Sequence, residues 1–193
     1  MTGLHVEKEF EQEALNKREQ VQRMIQTVLG EGWLAYGNDP TIFRHDEDFC
    51  GTTRTMVTSG LNSIPTGFTY KEKTVYFELI GAVDKQCEQS GDWFLEIVYE
   101  TLKCNLPLKP GFVIMNPEEV MKLNKDFKAV VMITPMFWEE LNFIETDHSA
   151  IAWLMPVPIL KNELKLMEKK GFDALLDYFE EKEVDVFDFS RKS

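Results

Sequence analysis

The chain has 193 residues, of which 44% are apolar, and 33 acidic residues against 21 lysines and arginines give a formal net charge of −12. That apolar content suffices for a buried core and excludes a wholly disordered protein, and the length favours one domain. The negative excess repels phosphate and so excludes nucleic acid as a partner, whereas it suits a basic protein.

The first predicted element is a long amphipathic helix from Val6 to Leu29. Apolar residues recur there at helical spacing, and Gly30 follows as a C-terminal stop. The N-terminus lacks a basic segment followed by an apolar run, so no secretion signal is predicted. Pro156 and Pro158 interrupt the longest apolar stretch, which is too short to span a membrane. We therefore expect a cytoplasmic protein.

The rest of the chain alternates between strand and helix patterns. The polar run His45–Asp48 predicts a loop of charged residues. The predicted strands are Thr41–Arg44, Thr52–Thr58, Lys73–Val83, Phe112–Met115, Phe127–Thr134 and Ala150–Met155. The predicted helices are Asp92–Lys103, Asn162–Lys170 and Phe172–Lys182. This order predicts an α+β fold: a single domain with a mainly antiparallel or mixed β-sheet, flanking helices and a long N-terminal helix. We expect residues 1–36, the helix and its connector, to pack on a domain formed by residues 37–193.

One apolar stripe runs along the predicted helix Asp92–Lys103. Trp93, Phe94, Ile97 and Leu102 belong to it. Their helical spacing places them on one face of the helix, and the tryptophan on this stripe is expected in the core.

Three cysteines, Cys50, Cys87 and Cys104, lie far apart in the sequence. An odd number without close spacing argues against a disulfide framework and against a zinc site. Cys87 or Cys104 could act as a nucleophile, but neither has a histidine nearby in the sequence. Reduced thiols in the core or at its boundary are therefore the favoured interpretation.

Motifs of the common enzyme classes do not occur in the sequence. There is no phosphate-binding glycine loop, no His-Glu-x-x-His, no Gly-x-Ser-x-Gly and no paired-cysteine metal motif. The segment Gly30–Ala35 fits a loose dinucleotide-binding pattern, but it follows a helix where that site requires a strand. We therefore predict no enzymatic activity and no cofactor.

One local group offers possible metal ligands. His45, Asp46, Asp48 and Cys50 supply imidazole, carboxylate and thiol groups, although a solvated acidic segment is the favoured interpretation. A metal-assisted hydrolase that uses His45, Asp46 and Asp48 is one alternative function. An oligomeric adaptor that dimerises through the N-terminal helix is another.

Two segments are candidates for contact with a partner protein. One is a run of three carboxylates, and the other is a tryptophan that follows a predicted strand and precedes two glutamates. An exposed aromatic side chain beside carboxylates is typical of a binding edge. The candidate partner-binding residues are Asp46, Glu47, Asp48, Trp138, Glu139 and Glu140.

Glu78 is an acidic residue inside the predicted strand Lys73–Val83. Alternation places it on the face opposite Phe77 and Leu79. If that face is buried, the carboxylate needs a basic or hydrogen-bonding partner. A carboxylate at a sheet surface is the equally favoured alternative.

The order of motifs from Gly37 to Ser193 resembles that of the Suppressor of fused family. The segment Thr74–Ile80 is similar to the family's central valine-glutamate-leucine strand, and Ala152–Val157 is similar to a later strand that leads into a glutamate-leucine helix start. Asp188–Ser193 resembles the family's C-terminal end. The matching positions include Gly60, Glu78, Pro110, Gly111, Pro156, Glu163 and Arg191.

The resemblance implies a single α/β domain that binds proteins. Animal members of the family sequester a transcription factor, whereas compact bacterial members resemble immunity proteins that neutralise a cognate toxin, often a nuclease. The chain lacks the extra C-terminal domain of the animal proteins, so the resemblance implies an antitoxin or immunity protein. The implied partner is a basic toxin domain, with no nucleic acid and no membrane, and the oligomeric state is left open.

Overall fold

The structure is a computed structural model that describes residues 3–30, 34–36, 40–48, 53–61, 66–84, 92–104, 108–138, 141 and 143–192. Within these ranges the chain forms five helices and nine strands. The helices are α1 (Gly3–Leu29), α2 (Asp92–Cys104), α3 (Glu118–Leu123), α4 (Lys161–Lys170) and α5 (Phe172–Glu181). The strands are β1 (Leu34–Tyr36), β2 (Thr41–Asp48), β3 (Thr53–Ser59), β4 (Thr69–Tyr70), β5 (Lys73–Asp84), β6 (Val113–Met115), β7 (Phe127–Ile133), β8 (Ile144–Glu145) and β9 (Ser149–Leu160).

All nine strands belong to one sheet with the order β1-β2-β3-β5-β9-β7-β6, in which β4 also pairs with β5 and β8 with β9. The central strands β5 and β9 are parallel, and the other neighbours are antiparallel. The sheet is therefore mixed, and the predicted α+β class with a long N-terminal helix is confirmed. Among the described residues, no helix combines the length and apolar character needed to cross a membrane.

Helices cover both faces of the sheet. Alternate side chains of β5 enter two apolar clusters: Ile80 and Ala82 point into the first, and Leu79 and Val83 point into the second. Helices α1 and α5 contribute to the first cluster, whereas α2 and α3 contribute to the second. A strand that is buried on both faces has a nearly continuous apolar sequence, which explains why β5 and β9 show little alternation.

The second half of α1 joins the first apolar cluster. Val21 and Ile25, one helical turn apart, are almost completely buried. One turn earlier, the Lys17 ammonium lies 4.4 Å from the centre of the Tyr76 ring on β5. Burial of the two aliphatic side chains contributes about 3–6 kcal/mol, which holds the helix on the sheet. The division of the chain at residue 36 stays a prediction.

The sequence predicts a polar loop at His45–Asp48, and this prediction is wrong. These residues extend β2, which pairs with β3 along its length apart from a register shift between His45 and Asp48. Backbone hydrogen bonds to the neighbouring strand outweigh the low strand propensity of acidic residues.

Strand β9 continues through two prolines at which the sequence predicts that it ends. Its first half pairs with β5 as far as Leu154, and its second half, Met155–Leu160, pairs with β7. The Pro158 carbonyl accepts a hydrogen bond from Arg191, so it points away from β7. Because the N and O of an extended residue point to the same edge of the strand, the Pro158 nitrogen also faces away from β7. Pro156, two residues earlier, shares this orientation. The prolines therefore spare the β7 ladder and blunt the other edge of β9.

Candidate partner-binding surface

Glu78 is a fully buried carboxylate that ties β5 to the end of β3. Thr58 Oγ1 donates to Glu78 Oε2 at 2.6 Å, and the amides of Gly60 and Leu61 donate to the carboxylate at 2.8 and 3.2 Å. The Thr58 hydroxyl accepts in turn from the Leu79 amide at 2.8 Å. Of the two alternatives for Glu78, the buried and hydrogen-bonded one is therefore correct. These bonds offset the cost of burying a carboxylate, so Glu78 supports the fold.

Gly60 lets the chain approach this carboxylate. Its φ is +125°, and a Cβ at this position would lie 3.2 Å from Pro40 Cα. Any larger residue would be strained by both the backbone angle and the contact. The match of Gly60 to the family pattern thus has a structural reason.

Glu163 and Arg191 join the start of α4 to the C-terminal tail. Arg191 Nη1 donates to Glu163 Oε1 at 2.8 Å, and Nη2 donates to the Pro158 carbonyl at 2.7 Å. The other oxygen of Glu163 accepts from the Leu160 amide at 2.7 Å, and so satisfies an N–H at the start of the helix. Burial raises the pKa of the Glu163 carboxyl, although the charge of Arg191 and the Leu160 amide oppose this shift.

The tail is packed as well as hydrogen-bonded. Phe189 lies against Trp93 of α2 and Phe127 of β7, with ring centroids 5.3 and 5.7 Å apart. Asn124 Nδ2 donates to the carbonyls of Phe189 and Arg191 at 3.0 and 2.6 Å. The tail therefore completes the second apolar cluster.

Pro110 and Gly111 form a turn that precedes β6. The Phe112 amide donates to the Lys109 carbonyl at 3.0 Å, and a φ of +79° at Gly111 suits the third position of a type II turn with proline second. A Cβ on Gly111 would lie 3.1 Å from Phe172 Cγ. Glycine therefore serves both the turn and the close approach of α5.

The prediction that Trp138 is an exposed aromatic is wrong. Its side chain is 4% exposed and belongs to the first apolar cluster, with the Phe187 ring centroid 6.2 Å away. Met136 and Phe137, which precede it, are exposed instead. After β7 the chain folds back over the first face of the sheet, and the local sequence pattern carries no sign of this.

The remaining predicted contacts lie at the limits of the described chain. Asp46, Glu47 and Asp48 are on β2, but their side chains lie outside the described set, and Glu139 and Glu140 lie outside it altogether. Their part in binding therefore stays a prediction.

Among the side chains that the structure describes, no group of three or more His, Cys, Asp or Glu could hold a metal ion. Because the side chains of Asp46 and Asp48 are not among them, the metal site with His45 stays a prediction. Cys104 is exposed, which corrects the expectation of a buried or boundary thiol, and Cys50 and Cys87 lie outside the described residues.

Exposed aromatic side chains gather near the start of β5. Tyr70 of β4 packs edge-on against Phe143, with ring centroids 4.9 Å apart, and both side chains are more than 40% exposed. Lys71 and Lys73 each place Nζ 3.2 Å from a carboxylate oxygen of Glu145. Glu145 thus offsets only one of the two lysine charges beside these rings.

A second exposed apolar surface lies on α2. Leu95, Tyr99 and Leu102 are 47%, 60% and 37% exposed and follow one another at i, i+4 and i+7. We call these three residues the α2 row. The row is not among the predicted contact residues, and the prediction that Leu102 belongs to the buried stripe is wrong. The positions of Leu95 and Tyr99, away from that stripe on the helix, were the signal that could have revealed it.

The family profile described as Suppressor of fused protein (SUFU) matches residues 40–192. The chain belongs to the Suppressor of fused family. Immunity protein YqcF of Bacillus subtilis (strain 168) is 25% identical to this chain over 185 residues, and the match covers 88% of this chain and 94% of that protein.

Solved structures of Suppressor of fused proteins share the fold. A homologue from Neisseria gonorrhoeae superposes with a TM-score of 0.65 at 13% identity, and covers 93% of this chain and 97% of its own. The family member in the Sufu–Fu complex gives a TM-score of 0.63 at 12% identity, with 84% and 83% covered. Drosophila Suppressor of Fused gives 0.56 at 11% identity, and this chain spans 45% of its length.

Proposed function

We propose that this chain is an immunity protein that binds a basic toxin and neutralises it without catalysis. The observation that carries the proposal is the similarity to Immunity protein YqcF, which extends over 88% of the chain and nearly all of that protein. A family member in the Sufu–Fu complex supports a protein as the partner.

The charge and the exposed side chains are compatible with this role. The net charge of −12 favours rapid encounter with a basic protein. The buried acidic residues Glu78 and Glu163 are both engaged in holding the fold. Exposed Tyr and Phe side chains are enriched in protein interfaces, and tyrosine is frequent among the residues that dominate the binding energy.

Co-expression with a toxin encoded beside this chain tests the proposal. We expect growth to be restored and the two proteins to co-elute from a sizing column. The proposal would be contradicted if every toxin encoded beside this chain still killed the cells and none of them co-eluted with it.

A titration separates binding from catalysis. If the chain acts by binding, toxin activity falls in proportion to added chain and ends near one equivalent. An end point far below one equivalent would mean that each molecule inactivates many toxins and would contradict the proposal. In that case stoichiometric zinc or manganese in the purified protein would support the metal-assisted hydrolase with His45, Asp46 and Asp48.

A further inference from the structure

The α2 row stands on the outer side of a helix that already buries its other side. Trp93, Phe94 and Ile97 fill the second apolar cluster and are almost fully buried. Tyr99, at 60% exposed, lies on the solvent side. A helix that packs on one face of a sheet needs only one apolar stripe to join the core. A second apolar stripe on its solvent face therefore indicates a contact with another molecule.

Acidic residues run beside the α2 row. Asp92, Glu96 and Glu100 follow at one-turn intervals on the same helix. The Glu96 carboxylate accepts hydrogen bonds from the backbone amides of Glu118 and Glu119, and so brings two further carboxylates of α3 next to α2. Acidic residues of α2 therefore border the apolar row, and the acidic start of α3 adjoins them at Glu96.

The basic residues here do not cancel this charge. Lys103 Nζ lies 3.9 Å from Glu100 and 5.6 Å from the centre of the Tyr99 ring. Lys122 pairs with both Glu118 and Glu119. Helices α2 and α3 together hold five acidic residues against these two lysines. The rings near Tyr70, by contrast, lie beside two lysines that share one glutamate.

We infer that the α2 row is the docking surface for a basic amphipathic helix of the toxin. Such a helix would place apolar side chains at i, i+3 or i+4, and i+7 against Leu95, Tyr99 and Leu102, and lysines or arginines against the acidic border. A second copy of this chain is a poorer occupant, because a two-fold contact would bring the same carboxylates together. This inference rests on the proposed function.

Alanine substitutions at two exposed aromatic residues test the surface. Tyr99→Ala removes the centre of the α2 row, and Phe137→Ala is the control, since Phe137 is 44% exposed and adjoins the first cluster through Phe187. With the catalytically inactive toxin domain immobilised, we expect Tyr99→Ala to raise Kd by about 30-fold or more. Phe137→Ala should leave Kd within about threefold. Unchanged thermal unfolding of both variants verifies that they are folded.

Two glutamate substitutions test the charge border. Glu100→Gln removes one carboxylate beside the α2 row, and Glu180→Gln makes the same change on α5, which packs on the opposite face of the sheet. We expect Glu100→Gln to slow association with the toxin and Glu180→Gln to leave the rate unchanged. Equal effects of the two substitutions would mean that only net charge matters and would overturn the inference.

The remaining outcomes separate the two proposals. If the wild-type chain binds no neighbouring toxin, the proposed function fails. If it binds, but Phe137→Ala weakens the complex and Tyr99→Ala does not, the function stands and the docking surface is wrong. A wild-type dimer in solution that Tyr99→Ala converts to a monomer would assign the α2 row to a second copy and would also overturn the inference.

Discussion

Arg191 and Glu163 lie 28 positions apart in the chain, yet their side chains meet at 2.8 Å in a site that leaves them only 9% and 2% exposed. The contact holds the C-terminal tail over the edge of β9 and keeps the start of α4 in place. Breaking a buried ion pair that further hydrogen bonds complete is strongly destabilising, because the remaining charge is left without a partner.

We expect Arg191→Ala to lower the free energy of unfolding by about 3 kcal/mol. The reason is that Glu163 keeps its buried charge and the Pro158 carbonyl loses a donor. Urea titration measures the change. Lys192→Ala, at the exposed neighbouring position, is the matched control and should change stability by less than about 0.5 kcal/mol. Equal losses for the two variants would contradict a specific contribution of the pair.

The pKa of Glu163 predicts a pH dependence. Because burial raises this pKa, the folded protein holds the proton to a higher pH than the unfolded chain does. The contribution of Glu163 to stability is therefore full below the unfolded pKa and falls as the pH rises through the folded pKa. We expect the difference in unfolding free energy, wild type minus Glu163→Gln, to decrease between about pH 4 and pH 7. A difference that grows with pH over this range would show that the sign is wrong.

Glu78 offers a test of the buried carboxylate. Glu78→Gln keeps the shape of the side chain but replaces one acceptor oxygen by a donor that faces backbone N–H groups. We therefore expect it to lower the free energy of unfolding by about 2 kcal/mol. Thr58→Val removes one donor to Glu78 and also the hydroxyl acceptor of the Leu79 amide, and should lower the free energy of unfolding by about 1 kcal/mol. Glu168→Gln on the exposed side of α4 serves as the control. Chemical denaturation of the three variants checks this order, and a neutral Glu78→Gln would contradict it.

Two glycines separate backbone strain from side-chain contact. Gly111 and Gly67 have φ values of +79° and +77°, but a Cβ on Gly111 would meet Phe172 at 3.1 Å, whereas nothing lies within 4 Å of one on Gly67. We expect Gly67→Ala to cost about 1 kcal/mol, from the left-handed backbone alone. Gly111→Ala should cost more in the same thermal unfolding assay. Equal costs would mean that α5 moves aside freely.

Salt should slow the binding of the toxin. If the net charge of −12 steers a basic partner, a rise from about 0.05 to 0.5 M salt shortens the Debye length and should lower the association rate on the order of tenfold. The dissociation rate should change much less. Stopped-flow mixing measures both rates, and an association rate that does not depend on salt would remove charge from the account of binding.

Periodicity in the sequence was sufficient for the main elements of the fold. The apolar run of β5, the helical spacing of Val21 and Ile25 on α1, and the order of strands and helices all depend on neighbours within a few positions. The family resemblance likewise depended on local motifs, such as Thr74–Ile80, and the family profile confirmed it. Composition alone supplied the negative charge on which the proposed encounter depends.

Contacts between distant segments decided the rest. Burial of Trp138 follows from the way the chain folds back after β7, and the passage of β9 through Pro156 depends on which edge of the strand faces its partner. The partners of Glu78 come from the end of another strand, and the α2 row is exposed because the sheet takes up only the opposite face of that helix. Spacing along the sequence predicts which residues share a face of a helix or strand, but only tertiary packing decides which of these faces is covered.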